Sequence, residues 1–212
     1  MPLQAVAMKQ AVFIDRDGAI CKEVGYLRDP SQFQLIPGAS DAIRLFNRSG
    51  LKTIVVTNQS GVARGYFSED MIAEVHRTMS NTLGEQGAYL DGIYYCPHHP
   101  QGIVDHYRKT CDCRKPATGL LKRAAFDHAI ELSRSYLIGD KLTDMECAYR
   151  AGVKAILVLT GCGAEERRTM TTPRLEEPAF IAADLLDAAR WIIEDSQCRN
   201  HGNSDNKIER DR

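Results

Sequence analysis

The stretch AVFIDRDGAI, Ala11 to Ile20, drives an apolar strand straight into Asp15, Arg16 and Asp17 and then a glycine. Carboxylates gathered at a buried strand end are costly unless a cation neutralises them. The alternation of a strand points residues two apart the same way, so Asp15 and Asp17 can share one site. A hard cation such as Mg²⁺ suits oxygen ligands of this kind.

Other apolar runs end in the same manner. LKTIVVTN stops at Thr57 and Asn58, DGIYYC at Cys96, and SYLIGD at Asp140, with Asp144 opening the next helical segment. Amphipathic stretches separate these runs. One is PGASDAIRLFNRSG, stopped by Gly50. Another is SEDMIAEVHRTMSNTLGEQG, with Ser68 as its cap and Met71, Ile72, Val75, Met79 and Leu83 as its stripe. Further helices are predicted over ATGLLKRAAFDHA and LTDMECAYRAG, a strand over KAILVLT, and a final strand and helix within AFIAADLLDAARWIIED. Alternating strands and helices predict an α/β fold, a three-layer Rossmann-like parallel sheet with helices on both faces. Ligands of such sheets sit beyond the C-terminal strand ends, where the polar residues cluster.

The bulk numbers leave room for this and exclude little else. A chain of 212 residues with 43% hydrophobic and 26% charged residues suits one soluble domain. The expected domain covers residues 1–195, and the polar SQCRNHGNSDNKIERDR over 196–212 reads as a disordered tail. A formal net charge of −1 gives no reason to expect nucleic acid or a membrane as partner. The start MPLQAVAMKQ lacks the pattern of a secretory signal. Seven cysteines, three of them crowded near a histidine, argue for metal binding in a reducing compartment. The expected protein is a cytoplasmic monomer acting on a small molecule.

In this order and at these strand ends, DRDG, VVTNQSG, CRKP and GDKLTD resemble the four motifs of the haloacid-dehalogenase-like (HAD) phosphatase superfamily, over about Val12 to Gly161. The resemblance implies a Mg²⁺-dependent phosphatase. Asp15 would be the nucleophile forming an aspartyl phosphate. Asp17 would act as general acid and then general base, for which its pKa should be raised. Thr57 and Asn58 would hydrogen-bond phosphoryl oxygens, and Lys115 would offset the charge building there. Mg²⁺ would bind Asp15, the backbone carbonyl of Asp17, and Asp140. One departure is Ala19, where the family usually has Thr or Val; a hydroxyl that could support Asp17 is missing.

The loop CPHHPQGIVDHYRKTCDC, residues 96–113, holds Cys96, His98, Cys111 and Cys113, a closed tetrahedral set suited to structural zinc. His99 and His106 compete as ligands. His98 is preferred because its spacing from Cys96 mirrors the Cys pair opposite and because the resemblance puts the ligand there. The loop runs directly into Arg114 and Lys115, so holding it would hold them. The other thiols, Cys21, Cys147, Cys162 and Cys198, read as ordinary core or surface cysteines.

About forty residues separate Asp17 from Thr57, too few for a full cap domain beside a helix. An open site is therefore expected. Within the family, the chain resembles a zinc-bearing subgroup of sugar bisphosphate phosphatases. That likeness implies sugar contacts from Glu23, Val24, Gly25 and Tyr26, and phosphate contacts from Thr57, Asn58, Gln59 and Ser60. Arg114 would read the far phosphate or the sugar, with Arg64 as a further candidate, and Lys141 would pair with the reacting phosphate. The nearest alternative is a zinc-bearing phosphatase of histidinol phosphate, and from another class a non-catalytic zinc-stabilised binding module.

Overall fold

The computed structural model describes residues 8–170 and 177–208. Its centre is a parallel sheet of six strands: β1 (Ala11–Ile14), β2 (Lys52–Asn58), β3 (Gly92–Cys96), β4 (Tyr136–Gly139), β5 (Lys154–Val158) and β6 (Phe180–Ala182). The order across the sheet is β3-β2-β1-β4-β5-β6, so β1 lies in the middle. The register pairs Ile14 with Val55 on one side and with Ile138 on the other. Because every pairing is parallel, all the C-terminal ends reach one rim.

The period of two decides which layer each side chain joins. Val12 and Ile14 face a core built with α1 (Ala39–Arg48), α2 (Glu69–Glu85) and α6 (Leu185–Ile208). Ala11 and Phe13 face the opposite core, built with α3 (Gly119–His128) and α4 (Leu142–Ala151). Each large apolar side chain so buried contributes about 1.5–3 kcal/mol. These two faces make the predicted three-layer fold.

Local signals in the sequence set the helix ends. Ser68 caps α2, its hydroxyl accepting from Met71 N at 3.3 Å. Gly50, at φ +73°, follows the C-cap Ser49 of α1. Two features differ from expectation. A short helix, α5 (Gly163–Thr169), follows β5 where none was predicted. The region from Ser196, read as a disordered tail, continues α6 through Ile208, and Ser196 itself is buried; residues 209–212 lie outside the described residues. Between β1 and β2 the chain forms only a 3₁₀ turn (Pro30–Gln32) and α1, so no cap domain covers the rim there. Among the described residues no helix is long and apolar enough to cross a membrane.

Candidate active site

Asp15 follows β1 and extends its pairing, donating from N to Ile138 O at 2.9 Å. Asp140 follows β4, and Asp144 stands in the first turn of α4. One carboxylate oxygen from each of the three lies within 4.8 Å of the others, and all three residues are buried. Lys115 supplies the countercharge. Its Nζ is 3.1 Å from Asp15 Oδ1 and 2.5 Å from Asp144 Oδ1, and it donates to Val56 O at 2.8 Å. Burial alone would lower this lysine's pKa; Asp144 and then Asp15 outweigh that and hold it charged.

Asp140 has no such partner. Its Oδ2 accepts from Cys162 N at 2.8 Å, but its Oδ1 is buried with no hydrogen-bond partner. Burial pushes its carboxyl up to about 7, with Asp15 and Asp144 adding to the rise against Lys141. Gly18 and Gly161, both at positive φ, close around Oδ2: a Cβ on either would come within 2.1 and 2.3 Å of it. An orphaned carboxylate oxygen beside two further carboxylates is a donor set for a hard divalent cation, and these residues fit Mg²⁺.

Asn58, at the end of β2, lines the cleft but spends its amide on a neighbouring loop. Its amide clamps the backbone of Lys115, with Nδ2 donating to Lys115 O at 3.0 Å and Lys115 N donating to Oδ1 at 3.0 Å. The peptide bond from Lys115 to Pro116 is cis. Thr57 is buried, and its hydroxyl accepts from Gln59 Nε2 at 2.9 Å.

The second aspartate departs from expectation. The Asp17 carboxylate is gripped by Arg16 and also accepts from Gln59 Nε2 at 2.9 Å. Burial would raise this carboxyl, but the charge and hydrogen bonds of Arg16, with the bond from Gln59, prevail and hold it below the ordinary carboxylate range. The raised pKa expected of a general acid is absent from this arrangement, because its neighbour in the chain is a buried cation. Arg16 in turn is fixed from α2, where His76 Nε2 lies 3.4 Å from Nη1. An arginine has no acceptor, so the imidazole accepts here.

An open cleft of about 680 Å³ lies over the rim. Asp17, Asn58, Gln59 and Ser60 line it, as do Arg114, Lys115 and Lys141. The flap after β1 adds Glu23, Gly25 and Tyr26, whereas Val24 points to solvent and is 48% exposed. Lys141 Nζ pairs with Glu23 Oε2 at 2.6 Å, spanning from the start of α4 to the flap. Arg114 reaches the carbonyl of His98 at 3.4 Å. Arg64 is held at His99, 3.2 Å from its Nε2, and does not line the cleft. Ala19 is fully buried in the core beneath the loop. Cys162, read as an ordinary thiol, lines the cleft beside Asp140.

In the 96–113 loop, the Sγ atoms of Cys96, Cys111 and Cys113 lie 3.1–3.5 Å apart, and His98 Nδ1 is 3.3 Å from Cys113 Sγ. The three cysteines are free thiols, so four soft donors converge with no disulfide between them. That set fits zinc. Of the competing histidines, His99 lies against Arg64, with Gln101 N 3.1 Å from its Nδ1, while His106 packs its ring on Tyr107.

Several residues of the site have roles that no motif announced. His76 could have been found, since it lies four residues after Ile72 and three before Met79, on the buried stripe of α2. Arg16 and Asn58 lie within the motifs, but the grip of Arg16 on Asp17 and the bond of Asn58 to the Lys115 backbone depend on side-chain direction.

A parallel α/β sheet whose rim joins three carboxylates and a buried lysine defines a hydrolase of the HAD type. The HAD-hydrolase-like family model matches residues 112–188. The chain is 46% identical over 184 residues to the D-glycero-β-D-manno-heptose-1,7-bisphosphate 7-phosphatase of Escherichia coli K12, covering 86% of this chain and 93% of that one. It is 42% identical over 188 residues to the D-glycero-D-manno-heptose-1,7-bisphosphate 7-phosphatase of Thermosynechococcus vestitus, covering 87% and 95%. The D,D-heptose 1,7-bisphosphate phosphatase of B. bronchiseptica, solved with magnesium and phosphate, superposes with a TM-score of 0.79 at 28% identity, covering 88% of this chain and 99% of that one. The chain belongs to the HAD-like phosphatase family and is an enzyme that hydrolyses phosphate esters.

Proposed function

We propose that the protein removes the 7-phosphate of D-glycero-D-manno-heptose 1,7-bisphosphate, in the synthesis of the heptose of lipopolysaccharide precursors. The observation that carries this reading is the Asp15–Lys115 pair at the rim, whose lysine lines a cleft with Arg114 and Lys141 along it. Asp15 Oδ attacks phosphorus; the sugar oxygen leaves and takes a proton from Asp17; water, deprotonated by Asp17, then attacks the aspartyl phosphate and frees Asp15. Lys115 offsets charge on the transferring group. Before it can act, Asp17 has to leave the grip of Arg16. Lys141 must likewise give up Glu23 to meet the reacting phosphate. Arg114, on the same cleft, suits a second phosphate or the sugar. Mg²⁺, held by Asp15, Asp140 and the backbone carbonyl of Asp17, would neutralise charge at the phosphoryl oxygens. Zn²⁺, held by Cys96, His98, Cys111 and Cys113, would keep the loop before Arg114 and Lys115 in place. We take the enzyme to act as a cytoplasmic monomer, without nucleic acid or membrane as partner.

Competitive hydrolysis tests this. Purified protein with Mg²⁺ should release phosphate from the heptose bisphosphate in preference to histidinol phosphate. The reverse preference would assign it to histidinol phosphate, and release from neither ester would favour the binding module.

A further inference from the structure

The flap that follows β1 is rooted at Leu27, which is buried in the core, and at Arg28 N, which donates to Gln32 Oε1 at 2.9 Å, but its tip at Val24 and Gly25 is exposed. Glu23 holds Gly25 N at 2.7 Å within the flap, and its salt bridge to Lys141 crosses the cleft. That bridge uses the lysine assigned to the reacting phosphate, so it cannot last once substrate binds. A second anchor lies on the other side. The rings of Tyr26 and Tyr66 meet edge to face, with centroids 4.7 Å apart and planes at 77°. The Arg28 guanidinium stacks over the Tyr66 ring at 4.6 Å. Tyr66 does not line the cleft, whereas Tyr26 does.

The ground beneath Tyr66 is firm. Its N donates to Gly61 O at 2.8 Å, and Gly65, at φ +69°, closes the turn with N donating to Val62 O at 2.9 Å. The same turn is tied to the 96–113 loop: Ala63 N donates to Pro97 O at 3.2 Å, and Ala63 O accepts from Ile103 N at 2.7 Å and Val104 N at 3.0 Å. Tyr66 is thus a fixed post between the metal loop and a flap whose tip, at Val24 and Gly25, is exposed. It touches two flap residues through ring contacts that a phosphate has no reason to break.

We infer that Tyr66 is a positioning residue that holds the flap over the cleft through Tyr26 and Arg28, and so favours a large bisphosphate over small phosphate esters. This rests on the phosphatase reading above. The test compares Tyr66→Ala and Tyr66→Phe with the native protein in two measurements: hydrogen exchange of flap amides 23–28, and kinetics on the heptose bisphosphate beside p-nitrophenyl phosphate. Tyr66→Ala should exchange faster in the flap and raise KM for the bisphosphate. Its kcat/KM for the bisphosphate relative to the aryl ester should fall about tenfold, the scale of losing one aromatic pair and one cation–π contact. Tyr66→Phe keeps both ring contacts and should behave as native. Native-like exchange in Tyr66→Ala, or an equal loss on both esters, would overturn the inference. If the native protein hydrolysed no ester, the phosphatase reading would fail by itself, and flap exchange alone would decide the role of Tyr66.

Discussion

Arg16 closes its guanidinium on the carboxylate of Asp17, the next residue in the chain: Nε reaches Oδ1 at 3.0 Å, and Nη2 reaches Oδ1 and Oδ2 at 2.9 and 2.8 Å. A carboxylate held this way is a poor proton donor, so Asp17 must part from Arg16 before it can protonate a leaving group. Arg16→Met should raise the Asp17 carboxyl, since the cation that depresses it is gone while burial stays. The acid group in the pH profile of kcat/KM should move to higher pH. Asp17→Asn should cut turnover by about 10²–10⁴-fold. A profile unmoved in Arg16→Met would contradict the link between the two residues.

His76 predicts an acid sensitivity of the fold. Burial, then the charge of Arg16, depress its imidazole to about 4. In the unfolded chain it titrates near ~6.5. Between these values the unfolded state binds the extra proton, so stability is full above the unfolded value and is lost as pH falls toward the folded one. The loss is on the order of 3 kcal/mol. Urea unfolding at neutral pH and near the folded value should show it. His76→Gln, which does not titrate, should flatten that dependence, and an equal slope in both proteins would rule out His76 as its source.

The rim was legible because its residues sit in strand-end positions that the period of two and the parallel order dictate. Asp15 and Asp140 needed no structure to be placed beside each other. What stayed hidden depends on where long side chains turn. Arg16 was read past as the spacer between two aspartates, yet it is almost wholly buried and governs Asp17. Asn58 lines the cleft, but the pair its amide makes with the Lys115 backbone gives no sign in the sequence. In the sequence Asp144 reads only as the opening of a helical segment, although it is the shorter ion pair of Lys115. The extension of α6 past Ser196 was missed because its polar composition has no apolar period.

Lys115 is a buried cation between two buried carboxylates. Lys115→Ala should destabilise the protein by about 3–5 kcal/mol, because Asp15 and Asp144 then face each other uncompensated. It should also abolish phosphatase turnover. Denaturant midpoints indistinguishable from native would show that the pair is not held as described.

Asn58→Ala should leave the protein folded and reduce kcat by about tenfold to 10²-fold, since the Lys115 backbone loses both of its clamps and the ammonium drifts from the phosphate. Kinetics with native Mg²⁺ dependence would check it, and an undiminished kcat would refute the clamp.

Chelation of the thiolate metal, or Cys111→Ser, should lower Tm, by about 2–4 °C for each kcal/mol lost at this chain length. Metal analysis should find zinc in the native protein and less of it in the variant. A variant with full zinc content and native Tm would remove Cys111 from the ligand set.

The most direct test of the central claim is phosphorus NMR of D-glycero-D-manno-heptose 1,7-bisphosphate incubated with Mg²⁺ and either the native protein or Asp15→Asn. The account predicts that the native protein converts the 7-phosphate signal to inorganic phosphate and leaves the 1-phosphate signal, while Asp15→Asn leaves both. Two intact phosphates with the native protein, or continued release by Asp15→Asn, would contradict it.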